Sequence, residues 1–90
     1  MINTSTQQDS VKRLARIEGQ IKGIQRMVQE GRYCIDIIQQ ITAARRALEK
    51  VGLVVMRRHV DSCVSEAIRS KKDGAAKISE LMHTVHDFIK

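Results

Sequence analysis

The 90-residue sequence has no proline, no tryptophan, one tyrosine and one phenylalanine. Stacking of unpaired bases on aromatic rings, the usual grip on single-stranded nucleic acid, therefore has almost nothing to work with. No stretch approaches the roughly 20 consecutive apolar residues of a membrane span. Residues 1–10 carry no apolar core behind a basic start, so no secretory signal is read there. The expectation is a cytoplasmic protein with no membrane partner. Its two cysteines are then expected as thiols, because the cytosol is kept reducing. The sequence also lacks a glycine-rich phosphate loop and any nucleophile, base and orienter set, so no enzyme is expected. Ninety residues make one domain, 1–90, with 1–9 expected to be flexible. A core this small makes self-association an expectation from the outset.

What is present is positive charge and helical periodicity. Lys and Arg number 16 against 10 Asp and Glu, a net charge of +6. That balance favours a polyanionic partner, and with stacking excluded the better fit is double-stranded DNA. Leu14, Ile17, Ile21, Ile24 and Val28 recur every three or four residues and predict a first helix from about Asp9 or Ser10, either of which could cap it, to a stop at Gly31. Ile37, Ile41, Ala44, Leu48, Val51, Val55, His59 and Cys63 continue the same period to the break at Ser70-Lys71-Lys72-Asp73-Gly74. This predicts one helix of roughly 36 residues, about 54 Å at ~1.5 Å per residue. So long a helix cannot be covered by its own chain and is expected to pair with its copy in another subunit. A third helix is predicted from about Ala75, with Ile78, Leu81, Met82, Val85 and Ile89 turned inward. The fold class is all-α.

His59 and Cys63 stand four apart and so share a helix face, close enough to share one metal ion. Such a pair is more often a buried thiol beside a surface histidine, and Cys34 is what raises its interest. Cys34 cannot join the other two within one chain, because 25 residues of helix put roughly 37 Å between it and His59. An antiparallel pairing of two such helices would instead set Cys34 of one subunit near His59 and Cys63 of its partner, giving two identical intersubunit sites. Two thiolates and an imidazole make a soft donor set suited to trigonal Cu(I), with Zn(II) or Ni(II) less favoured.

Three blocks of residues resemble those of the copper-sensitive operon repressors of the CsoR–RcnR type: Arg13-Leu14-Ala15-Arg16-Ile17-Glu18-Gly19-Gln20, Tyr33-Cys34-Ile35-Asp36-Ile37 with Gln40-Ile41, and His59 with Cys63. The resemblance covers nearly the whole chain from about Lys12. It implies a three-helix protomer, an antiparallel four-helix-bundle dimer and a dimer-of-dimers homotetramer. It further implies that Tyr33 and Glu80 form hydrogen bonds around the metal-binding histidine. The absence of a histidine before His59 and the presence of Cys63 favour copper over nickel, and His59 argues against the persulfide-sensing branch. His83 and His86 match nothing in this pattern and are expected to face solvent.

Positive charge along the first helix comes from Lys12, Arg13, Arg16, Lys22 and Arg26, and along the second from Arg45, Arg46 and Lys50. A solvated helix face would explain such charges equally well. The resemblance places Arg13 and Lys50 on a DNA-contacting surface, and Lys12, Arg16, Arg45 and Arg46 are candidates beside them. The function it implies is a transcriptional repressor that binds operator DNA without metal and dissociates on binding Cu(I), derepressing copper-resistance genes. Two alternatives stay open: a thiol-based sensor of persulfide or aldehyde acting through Cys34, and a copper-buffering protein.

Overall fold

The computed structural model describes residues 2–70 and 74–90. In chain order these form α1 (Thr4–Gln29), α2 (Cys34–His59), a π-helical turn (Val60–Val64), α3 (Ser65–Ser70) and α4 (Gly74–Ile89). No strand occurs among the described residues, and the all-α expectation holds.

α1 begins at Thr4, well ahead of the expected start at Asp9 or Ser10. The reason is Asn3, whose side-chain oxygen accepts from the Thr6 N–H at 2.9 Å and caps the helix. No glycine or proline then interrupts the polar run that follows. Asp9, offered as a cap, instead accepts from the Arg13 Nε at 2.9 Å one turn on. The predicted stop at Gly31 is observed. Gly31 adopts a left-handed φ of 65°, its N–H reaches the Val28 carbonyl at 3.1 Å, and the Arg32 N–H reaches Met27 at 3.0 Å. This pair of bonds is the Schellman arrangement, which satisfies the last carbonyls of the helix.

The predicted long second helix is helical throughout 34–70, but not as a single α-helix. After His59 the backbone widens into a π turn, and the Ser65 N–H reaches back five residues to the Val60 carbonyl. Local composition accounts for the change. Ser62 and Ser65 turn their hydroxyls onto the Arg58 and Val60 carbonyls at 2.9 and 2.8 Å, supplying donors where the α pattern is lost. Residues 71–73, at the centre of the expected break, lie outside the described residues.

The chain divides into two compact units, 2–56 and 57–90. In the first, α1 and α2 flank an open groove of about 590 Å³ whose walls include Ile21, Ile24 and Val28 from α1 and Ile41, Ala44 and Leu48 from α2. Among the described apolar residues only Ile17, Ala44 and Val51 are buried, and Leu14, Ile21, Val28, Ile41 and Leu48 remain exposed. In the second unit α4 packs with α3 and the π turn. Leu81 and Val85 are half-buried there. Ile78, Met82 and Ile89, expected to turn inward, are exposed. A six-residue α3 and a single π turn are too short to cover both sides of a 16-residue helix.

Two glycines should respond oppositely to alanine. Gly31→Ala forces a β-carbon into the left-handed region and should destabilise by about 1–2 kcal/mol. Gly19 sits inside α1 with nothing within 4 Å of an added β-carbon, so Gly19→Ala should stabilise by up to about 1 kcal/mol. Urea denaturation at a fixed protomer concentration measures both. A loss of stability in Gly19→Ala would mean that this face of α1 is covered in the assembled protein.

Candidate metal centre and nucleic-acid interface

Cys34 is the first residue of α2 and His59 its last. Their separation is therefore set by the rise of one continuous helix. Cys34 is exposed, while Cys63, in the π turn, is partly buried, and neither is in a disulfide. No group of three His, Cys, Asp or Glu side chains that could hold a metal forms within the chain among the described residues. His59 and Cys63 remain four residues apart as read from the sequence, with Cys63 carried on the wider turn.

The Ser62 hydroxyl stands 3.6 Å from the Cys63 Sγ and 2.9 Å from the Arg58 carbonyl. The hydroxyl has one proton to share between these acceptors. When it turns from the Arg58 carbonyl to the sulfur it stabilises the thiolate and holds the Cys63 thiol below its ordinary range, with the positive charge of Lys77 adding to the effect. A metal-ligating cysteine must be deprotonated, so this neighbour suits the ligand role. Ser62 was not singled out in the sequence, where an i−1 hydroxyl beside a cysteine carries no signal until the π turn aims it. Asp61, Ser62, Cys63, Ser65, Glu66 and Arg69 line a cavity of about 470 Å³ beside the thiol. Tyr33 lies just before α2, with its carbonyl accepting from the Ile37 N–H at 3.2 Å, and its side chain is exposed. Glu80, on α4, is exposed as well. His83 and His86 are exposed, as read from the sequence.

One face of α2 carries Cys34, Ile38, Ile41, Arg45, Leu48, Gly52, Val55 and His59, at spacings of 4, 3, 4, 3, 4, 3 and 4. This spacing is the seam of a coiled coil, and it reads the same from either end. Ile38, Ile41, Leu48 and Val55 on it are all at least 40% exposed.

The basic residues sort onto different faces. Lys12, Arg16 and Arg26 share one side of α1, with Gly19 and Gly23 between them at the same spacing. Arg13 lies off that side, in its ion pair with Asp9, and is partly buried. On α2, Arg46 and Lys50 are four apart on the face opposite the seam, and Arg57, one heptad beyond Lys50, continues that line. Arg57 was missed in the sequence because it falls beside His59, in what reads as the metal site. Its guanidinium is largely exposed, 4.0 Å from Asp61. Arg45 is separated from these by its place on the seam, with Nε 4.0 Å from the Glu49 carboxylate.

An all-helical chain with two thiols and an imidazole at helix ends, and with cations gathered on outward helix faces, fits a class: small helical regulators that answer to a soft metal. The chain belongs to the metal-sensitive transcriptional repressor family, whose model matches residues 6–87. It is 44% identical over 88 residues to the copper-sensing transcriptional repressor CsoR of Bacillus subtilis, spanning 97% of this chain and 86% of that protein. Against the copper-sensing transcriptional repressor RicR of Mycobacterium tuberculosis the identity is 41% over 78 residues, spanning 86% and 81% of the two chains. Among solved structures, the copper-sensing repressor CsoR with Cu(I) from Geobacillus thermodenitrificans superposes with a TM-score of 0.91 at 43% identity, covering 100% of this chain and 95% of that one. The nickel-responsive transcriptional regulator InrS gives 0.77 at 34% identity, covering 90% of each. No helix among the described residues is long and apolar enough to cross a membrane.

If the Ser62 hydroxyl is what favours the Cys63 thiolate, Ser62→Ala should move the thiol upward. In a Cys34→Ser background, the pH midpoint of Cys63 alkylation should rise in Ser62→Ala, with slower labelling below that midpoint. An unchanged profile would overturn the assignment of the effect to Ser62.

Proposed function

We propose that this chain is a Cu(I)-responsive transcriptional repressor that binds operator DNA without metal and releases it when Cys34 of one protomer, with His59 and Cys63 of its partner, takes up Cu(I). The observation that carries this reading is the reversible spacing of the α2 seam. When two copies of that face are laid antiparallel, Cys34 meets the partner's His59, Ile38 the partner's Val55, Ile41 the partner's Gly52, and Arg45 the partner's Leu48. The same alignment that pairs exposed apolar side chains thus closes a donor set that one chain cannot assemble. Two equivalent sites arise, one at each end of the seam. Burying the exposed part of four branched aliphatic side chains per protomer contributes on the order of 1 kcal/mol each, to which the α1 residues of the groove add.

Two thiolates and one imidazole supply a soft, three-coordinate environment that suits Cu(I) and leaves hard ions unsatisfied. Ser62 favours the deprotonated Cys63. Once His59 is held through one ring nitrogen, its other nitrogen is available to Glu80 of its own chain, linking the end of α2 to α4, and to Tyr33 of the protomer that supplies Cys34. The basic sides of α1 (Lys12 and Arg16, with Arg13 beside them) and α2 (Arg46 and Lys50) face the phosphate backbone. Contacts of that kind give affinity with steep salt dependence and little base information. Metal uptake and DNA binding then oppose one another through one bundle, and each must weaken the other by the same factor. A pair of such dimers gives the tetramer.

Fluorescence anisotropy of a duplex carrying the gene's own upstream region tests the reading. Reduced protein should bind, and anaerobic Cu(I) should release the duplex at about one equivalent per protomer. Cys34→Ala and Cys63→Ala should each keep DNA binding and lose the copper response. Binding that ignores Cu(I) would overturn the proposed effector, and absence of binding would favour a copper-buffering role. Lys50→Ala and Arg16→Ala should each lower the slope of log affinity against log salt by about 1, with copper uptake unchanged.

A further inference from the structure

Arg45 does not fit its surroundings. Seven other positions complete the α2 seam, and the two beside it, Ile41 and Leu48, are apolar. It also lines the groove between α1 and α2, whose walls are otherwise mostly aliphatic. Among the described residues its charge partner is Glu49 of the same helix, at 4.0 Å. A DNA contact would be better placed with Arg46 and Lys50 on the opposite face.

We infer that Arg45 sets the orientation of the dimer, its charge acting against parallel pairing of the two α2 helices. This rests on the antiparallel dimer proposed above and names the residue that selects it. The apolar members of the seam do not choose a direction. In a parallel, in-register pair, Ile38 meets Ile38, Ile41 meets Ile41 and Leu48 meets Leu48, which buries as much apolar surface as the antiparallel pair does. That arrangement gathers the two Cys34 thiols at one end and the two His59 rings at the other, and so contains no mixed donor site.

Arg45 separates the two arrangements. In parallel register its guanidinium meets the partner's Arg45, placing like charges in an apolar seam where solvent screens them poorly. Slipping the parallel pair by one heptad parts the arginines, but it leaves two of the eight seam positions on each helix unpaired. In the antiparallel pair Arg45 lies across from the partner's Leu48, and its aliphatic stem can cover that leucine while the charged head reaches the edge of the seam. There it finds its own Glu49 and the partner's Glu49, which follows Leu48 by one residue. A polar seam residue that costs some stability and fixes the arrangement is an established device of coiled coils.

Disulfide trapping reads the orientation directly in the full chain, in a Cys34→Ser, Cys63→Ser background. Val55→Cys alone reports parallel pairing: in the antiparallel pair the two residues at 55 lie about 25 Å apart along the axis, beyond disulfide reach. A mixture of Ile38→Cys and Val55→Cys chains reports antiparallel pairing. With Arg45 intact, the 38–55 link should form and the 55–55 link should not. Adding Arg45→Leu should raise the 55–55 link at least tenfold, whereas Arg45→Lys should behave as the arginine does.

In the cysteine-containing protein, Arg45→Leu should lose tight Cu(I) binding in proportion to the parallel fraction. Sedimentation confirms that each variant is still oligomeric. An Arg45→Leu protein that still associates but shows no 55–55 link overturns the inference while leaving the antiparallel dimer in place. Absence of the 38–55 link with Arg45 intact overturns the dimer itself, and this inference with it. A drop of about 1 in the salt slope of DNA binding on Arg45→Leu, with orientation unchanged, would return Arg45 to the DNA surface.

Discussion

The fixed rise of an α-helix governs this molecule. Cys34 and His59 are the first and last residues of α2, and at about 1.5 Å per residue no rotamer or small bend brings them together. A chain whose soft donors sit at opposite ends of a rod can complete a three-donor site only with donors from elsewhere. The helix thereby turns a question of metal chemistry into one of assembly. In the proposed repressor the donors specify which ion is preferred, but the length of α2 specifies how many chains are needed to hold it.

The apolar surface points the same way. Among the described residues only three apolar side chains are buried, too few to sustain a fold of this length, and the stripes that would form a core in a larger protein are open on α1, α2 and α4. Marginal packing within a protomer has a functional side. Elements that contribute little stability individually are free to repack when a ligand favours one arrangement over another. The π turn at Val60–Val64 belongs in this context. It falls where α2 hands over to the segment bearing Cys63, and widened turns of this kind recur at functional sites because they trade regular hydrogen bonds for a redirected side chain. Here the redirected groups are Ser62 and Cys63.

Much of this was legible in the sequence, because helical periodicity and donor spacing are one-dimensional signals. The three apolar stripes located the helices, and Gly31 marked the end of α1 because only a left-handed residue closes that cap without strain. The early start of α1 was missed because Asn3 caps from a position where no apolar stripe follows closely. The π turn was missed because Val60, Ser62 and Ser65 keep a plausible α period, and the widening shows only in the Ser65 amide and hydroxyl reaching back five residues to the Val60 carbonyl. The inward turn expected of Met82 and Ile89 failed for another reason: periodicity shows which residues share a face, while burial depends on whether anything is long enough to cover it. Cys34, His59 and Cys63 could be nominated from spacing and donor chemistry. Their convergence, as proposed, would depend on a second chain, which periodicity addresses only indirectly.

The corner at Gly31 joins these themes mechanically. Two consecutive amides, of Gly31 and Arg32, are tied back into the last turn of α1, and the Tyr33 carbonyl is already engaged by Ile37 in the first turn of α2. Between them only the Arg32–Tyr33 link is left without a backbone tie. The connector therefore behaves as a stiff elbow, and Cys34 is mounted just past its joint. A connector tied at both ends leaves Cys34 little freedom relative to the end of α1, so rigidity at this surface turn fixes where the first sulfur stands against the helix before it.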